Sequence, residues 1–118
     1  MIRFINCIRK SDNISMNDFR TYWHDQKFMD LIEKIVEFTK ANRFEKNLTL
    51  QVEANTWAME ERGTGQPYDG VIEYWWDNAK EIVDLHDTPE AKALMEEMKS
   101  YQSQFVDFER SSAFFTEA

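Results

Sequence analysis

The order of apolar and polar residues divides the chain into alternating strands and helices. Residues 2 to 9 have the two-residue period of a strand. One side of this segment carries Ile2, Phe4, Asn6 and Ile8. Residues 71 to 76 give the strongest strand pattern, because β-branched and aromatic residues fill it. Residues 37 to 46 predict a weaker strand, and residues 113 to 116 predict a final one.

Helices are predicted between the strands from their apolar spacing and from residues that cap helix ends. Ser15 and Asp18 form a variant of the capping box in front of the first helix. The apolar stripe of this helix changes side near residues 24 to 28, so we expect a bend or break there. Asn47 is predicted to cap a helix from Leu48 to about Arg62, before Gly63.

Two capping pairs mark the remaining helices. Asn78 with Glu81 predicts a short helix, and Thr88 followed by Pro89 predicts the start of another. The last helix is expected to bury Ala91, Leu94, Met95, Met98, Tyr101 and Phe105.

The predicted order β-α-β-(α)-β-α-β indicates one α+β domain over residues 1–118. It is the ferredoxin-like split β-α-β arrangement, an antiparallel four-stranded sheet with helices on one face. The other face must be solvated or covered. Val71 and Trp75 lie on one face of the third strand, and Ile72 and Trp76 lie on the other. Both faces of this strand therefore carry large apolar side chains. A homodimer packed sheet to sheet is the expected solution.

Composition narrows the classes of partner. With 14 basic and 22 acidic residues, the net charge of −8 disfavours binding to nucleic acid or to an anionic membrane, and no apolar run is long enough to span one. A small hydrophobic or aromatic ligand fits this balance better. Cys7 is the single cysteine and no signal peptide is recognised, so we expect a reducing, cytoplasmic location.

Four segments resemble the EthD domain family. They are Phe19-Arg20 with Tyr22-Trp23, Arg62-Gly63, the run Pro67-Tyr68-Asp69-Gly70 that leads into residues 71–76, and Phe105-Val106-Asp107. The resemblance covers nearly the whole chain. It implies the dimeric α/β barrel fold, whose wider superfamily includes lyases, isomerases, polyketide cyclases and cofactor-free monooxygenases. The family usually has a His four residues after the helix Trp, where this chain has Lys27.

Three residues are candidates for catalysis. Lys27 follows Phe19 and Trp23 on one stripe, where a buried lysine could act as a base, although its side chain could also extend to solvent. Glu73 could serve as a general acid or base on a buried sheet face, or pair with Arg3, Arg43 or Lys27. His24 could shuttle protons, or lie solvated on the surface.

Aromatic residues supply the candidate ligand-binding set, with packing as the alternative for each one. The set is Tyr22, Trp23, Tyr74, Trp75 and Trp76. No metal site is predicted, because His24-Asp25 and His86-Asp87 lack the four-residue spacing that places two ligands on one helix face.

These residues predict a small cofactor-free enzyme that applies general acid–base chemistry to an aromatic or polyketide-like molecule. Dehydration, cyclisation and isomerisation are the reaction types considered. Two alternatives stay open at this level: a cofactor-free monooxygenase, and a non-catalytic dimer that binds a small molecule or acts as an accessory protein.

Overall fold

Nine elements make up the protein in a computed structural model that describes residues 1–118. The strands are β1 (Ile2–Ile8), β2 (Arg43–Leu48), β3 (Gly70–Trp76) and β4 (Ser112–Glu117). The helices are α1 (Met16–His24), α2 (Gln26–Thr39), α3 (Glu53–Arg62), α4 (Ala79–His86) and α5 (Pro89–Gln102). The predicted α+β order is confirmed.

The four strands form one antiparallel sheet in the order β2-β3-β1-β4. Its register places Ile2 opposite Trp76, Phe4 opposite Tyr74 and Ile8 opposite Gly70. These residues point toward the helices, because Gly70 and every second residue after it in β3 are buried. We call the opposite surface of the sheet the outer face. The ferredoxin-like arrangement predicted from the sequence is confirmed.

Capping residues set most of the helix ends as predicted. The side chains of Ser15, Asn78 and Thr88 each accept a hydrogen bond from a first-turn backbone N–H. The expected break falls at Asp25, which ends α1 and also caps α2 by accepting from the Lys27 N–H at 2.9 Å. Gly63 ends α3 with a left-handed φ of 67°.

Two predicted elements were wrong in their bounds. Residues 37–39 are the last turn of α2 and not part of a strand, because the helix continues until Lys40 takes a left-handed φ of 59°. Asn47 does not cap a helix: it lies inside β2, opposite Val71. The next helix starts only at Glu53, after Val52, whose side chain makes no capping hydrogen bond.

An aromatic cluster fills the core at the end of the sheet near Gly70. Its members are Phe19, Tyr22, Trp23, Phe28, Tyr101 and Phe105. Their ring centroids lie 5.3 to 5.6 Å from a neighbour, in stacked, tilted and edge-on arrangements. Helices α2 and α5 pack side by side over the sheet, and α4 contacts both. Met95, predicted to be buried on α5, is largely exposed instead.

Helix α3 stands apart from this core. It contributes no buried residue, and Trp57 at its centre is 55% exposed. The radius of gyration is 15.3 Å, compared with roughly 13.5 Å for a compact chain of this length. Helix α3 therefore lies outside the buried core. None of the five helices has the length and apolar content needed to cross a membrane.

Candidate functional site

A cavity of about 660 Å³ lies between the sheet and the helices α2, α4 and α5. Its walls are mostly apolar, and the members of the aromatic cluster do not line it. The volume is in the range of ligand pockets for small organic molecules.

Aromatic rings form the floor of the cavity. Tyr74 and Trp76, which follow each other on the same side of β3, have ring centroids 5.8 Å apart and interplanar angle 23°. Phe4 and Phe115 extend this surface on the neighbouring strands, with centroids 5.0 Å apart. The Trp76 ring is held by its Nε1, which donates to Thr39 Oγ1 at 3.0 Å. The floor thus presents a broad aromatic surface to any occupant.

Three polar side chains line the cavity and make no hydrogen bond within the chain: Asn6, Tyr74 and Gln102. Gln102 is only 7% exposed. Burial raises the pKa of the Tyr74 phenol well above its ordinary value, so it stays protonated and can donate a hydrogen bond. Buried polar groups usually have partners, so these three are suited to receive a ligand.

Charged groups lie around the mouth of the cavity and not in its depth. His86, Glu96 and Lys99 line it, and all three residues are exposed. The His86 Nδ1 lies 3.2 Å from the Asp87 carboxylate. Helix α4 thereby brings one imidazole to the entrance, although the sequence analysis gave His86 no role.

Two of the residues predicted to bind the ligand, Tyr74 and Trp76, lie in the cavity floor. Tyr22 and Trp23 belong to the aromatic cluster and do not line the cavity. Trp23 packs so closely on β3 that a Cβ on Gly70 would lie within 3.0 Å of three of its ring atoms. Trp75 points to the outer face, opposite Arg3 and Arg43.

None of the three predicted catalytic residues lines the cavity. His24 is exposed at the end of α1, and Lys27 is exposed in the first turn of α2. The Lys27 Nζ lies 5.8 Å from the centroid of the Tyr101 ring. Glu73 is on the outer face, where its carboxylate lies 3.7 Å from Arg3 Nη1. Arg3 is one of the partners that the sequence suggested for it.

The outer face mixes apolar and charged side chains. Its central ring is Trp75, with the guanidinium carbon of Arg43 at 4.4 Å from the ring centroid and that of Arg3 at 5.9 Å. Arg43 also pairs with Glu45 at 2.8 Å and lowers the pKa of that carboxyl. The apolar residues of this face are Ile5, Cys7, Val71 and Phe114.

Two polar atoms of the outer face are buried without a partner: Arg3 Nε and Thr116 Oγ1. The two residues are directly opposite each other on β1 and β4. Cys7 lies on the same face, where burial and the nearby Glu73 charge raise the pKa of its thiol. Residues of the outer face therefore include polar atoms that make no hydrogen bond within the chain.

Asn6 and Gln102 were not predicted as site residues, although both carry a recognisable signal. Asn6 is a polar residue on the apolar side of β1, between Phe4 and Ile8. Gln102 lies four residues after Met98, on the apolar stripe of α5. A polar residue that interrupts a buried face is the informative observation in such patterns.

The chain belongs to the EthD domain family, whose model matches residues 11–109. The match confirms the family identified from the motif residues. A search of curated proteins finds no significant match.

Solved structures share the fold at low sequence identity. An EthD family protein from Bacillus halodurans is 11% identical with a TM-score of 0.64, over 100% of this chain and 98% of that one. A dimeric ferredoxin-like protein of unknown function from Bacteroides fragilis is 12% identical with a TM-score of 0.62, over 99% and 95%. An antibiotic biosynthesis monooxygenase is 10% identical with a TM-score of 0.50, over 100% and 98%.

Proposed function

We propose that this protein is a homodimer in which each chain binds one small, mainly apolar molecule between its sheet and its helices. One observation carries the proposal: a cavity of about 660 Å³ has an aromatic floor and is lined by polar groups that make no hydrogen bond within the chain. Covering an apolar surface of this kind is favourable by about 25 cal/mol per Å².

The shape of the floor supports a flat ligand. The planes of the Tyr74 and Trp76 rings are inclined by only 23° to each other, and an aromatic or conjugated molecule can stack on such rings. The charged groups stay at the mouth, so the deep part of the cavity suits an occupant with little or no charge.

The dimer part of the proposal rests on the outer face. Trp75 and Phe114 would leave large rings in water in a monomer, and Phe114 is 47% exposed. The partner's outer face would cover these rings. The ferredoxin-like protein from Bacteroides fragilis is described as dimeric, which supports the same assembly here.

Catalysis by general acid–base chemistry is the second candidate, since the cavity is lined by a hydrogen-bond donor and an imidazole. Tyr74 would hydrogen-bond a substrate oxygen through its protonated phenol, and His86 would accept a proton at the mouth. The catalytic roles predicted for Lys27, Glu73 and His24 stay predictions, and none of these residues lines the cavity. Because the fold is shared with an antibiotic biosynthesis monooxygenase, oxygen uptake with a hydroquinone is a further reaction to measure.

The test compares two alanines on α5. Ala91 lines the cavity, whereas Ala93 is exposed on the same helix. A thermal-shift screen with small phenols, quinones, hydroxy acids and lactones should identify a compound that raises the melting temperature. We expect Ala91→Trp to abolish that shift by filling the cavity and Ala93→Trp to retain it.

Equal shifts for both variants would place the ligand elsewhere and overturn the proposal. The absence of a shift from any compound would contradict it as well. Turnover of the compound found, measured in Tyr74→Phe, His86→Ala and Lys27→Ala, then separates the two candidates. Loss of turnover in Tyr74→Phe and His86→Ala but not in Lys27→Ala supports the enzyme. Absence of turnover in the unmodified protein supports a binding protein.

A further inference from the structure

Asn6 and Gln102 are carboxamide side chains that line the same cavity, one from the sheet and one from α5. Neither side chain makes a hydrogen bond within the chain, although Gln102 is 93% buried from solvent. Its amide is not among the fully enclosed polar atoms, and the residue lines the cavity. A buried amide without a partner costs stability, so its retention on an apolar face points to a ligand.

Both residues occupy positions where an apolar side chain would fold better. Asn6 lies between Phe4 and Ile8 on the helix side of β1, opposite Ile72 of β3. Gln102 lies near Met98 and Val106, which are both buried. Leucine at either position would add apolar contacts without leaving an unpaired donor or acceptor.

The surrounding charge limits the chemistry of the occupant. A carboxylate or phosphate in the deep part of the cavity would need a buried cation, and the cationic residues that line the cavity are exposed at its mouth. A carboxamide offers both a donor and an acceptor, which fits a carbonyl or a hydroxyl group equally well. The Tyr74 phenol, which lines the same cavity, adds one more donor.

We propose that Asn6 and Gln102 together recognise an uncharged carbonyl or hydroxyl group on the ligand, whose flat apolar body lies on Tyr74 and Trp76. The ligand class is therefore a neutral, mainly apolar molecule with one hydrogen-bonding head group. This inference rests on the proposed ligand-binding function and adds the head-group specificity to it.

The experiment uses three probes of similar shape: 2-naphthol, 2-methylnaphthalene and 2-naphthoate. Calorimetry should give the unmodified protein about tenfold higher affinity for 2-naphthol than for the other two, which corresponds to one or two hydrogen bonds. In Asn6→Leu and Gln102→Leu the preference for 2-naphthol over 2-methylnaphthalene should disappear. Gln51→Leu, the same change at an exposed position, should leave it intact.

A second measurement needs no ligand. If the amides serve recognition and not folding, both leucine variants should melt at a higher temperature than the unmodified protein. Lower melting temperatures would assign the amides to structure and overturn the inference. Equal affinities for the three probes, or a preference that survives in both variants, would overturn it while leaving the proposed cavity in place. Failure of all three probes to bind contradicts the proposed function itself.

Discussion

Gly70 is the residue at which β3 lies against the ring of Trp23. Any larger side chain there would overlap the ring, because a Cβ would lie within 3.0 Å of three ring atoms. We expect Gly70→Ala to lower the free energy of unfolding by about 1–3 kcal/mol through overpacking of the core. Chemical denaturation measures this, with Gly65→Ala as the control, since a Cβ at Gly65 meets no atom within 4 Å. Equal stability of the two variants would contradict this packing.

Two buried tyrosines predict a loss of stability in alkali. Burial raises the pKa of both Tyr74 and Tyr101, and that of Tyr101 rises to about 12. A phenol whose pKa is raised in the folded state stabilises the fold fully below its unfolded pKa of about 10 and loses that contribution as the pH rises. Lys46 acts in the opposite direction, since burial lowers the pKa of its ammonium.

The tyrosine effect is measurable by denaturation between pH 8 and roughly pH 11, the range that the unfolded pKa sets. For Tyr101 alone we expect a loss of about 1 kcal/mol at roughly pH 11. Tyr101→Phe should be less stable at neutral pH, because the phenol donates to the Tyr22 carbonyl at 2.8 Å. Its stability should nevertheless fall less steeply with pH. An unchanged slope would show that Tyr101 does not drive the transition.

At the scale of single residues, the sequence predicted only part of the candidate site. Tyr74 and Trp76 could be placed on the helix side of β3, because strand residues alternate strictly. Lys27 could not be placed correctly from its spacing. The break at Asp25 starts a new helix, so the stripe that links Trp23 to Lys27 does not continue across it.

At the scale of elements, Asp25 links α1 to α2. Its backbone N–H bonds to the Tyr22 carbonyl at 3.3 Å, and its carboxylate caps α2. We expect Asp25→Ala to cost about 1 kcal/mol of stability, as for other N-cap residues. Asp25→Asn keeps the accepting oxygen and should cost less. Thermal or urea unfolding of the three proteins tests this, and equal losses in both variants would argue against a capping role.

Element order was predictable, whereas two boundaries were not. The strand pattern of β3 and the caps at Ser15, Asn78 and Thr88 are local signals, and the structure confirms them. The end of α2 lacks such a signal, because Lys40 adopts the left-handed conformation that normally marks a glycine. Asn47 resembles a cap in sequence, but pairing with β3 decides its conformation. The pairing of two strands depends on residues that are distant in the sequence, so a short segment alone does not predict it.

For the whole molecule, the outer face predicts how the protein assembles. We expect Trp75→Asp to convert the dimer into a monomer, because it would place a carboxylate in the proposed contact between two sheets. Light scattering after size exclusion measures the mass. Val83→Asp is the matched control, since Val83 is exposed on α4, on the helix side of the sheet.

Two results would contradict this assembly. One is a monomeric mass for the unmodified protein at every concentration measured, and the other is a dimeric mass for Trp75→Asp. Circular dichroism of the variant checks that a change in mass does not reflect unfolding. A melting temperature that rises with concentration in the unmodified protein, but not in the variant, would be independent support.

The four tryptophans occupy four different environments, which gives the protein built-in fluorescent reporters. They are Trp23 in the core, Trp57 on α3, Trp75 on the outer face and Trp76 in the cavity floor. In a variant that keeps only Trp76, the emission would follow occupation of the cavity. Keeping only Trp75 would report on the sheet surface. The two single-tryptophan variants would therefore report ligand binding and association separately.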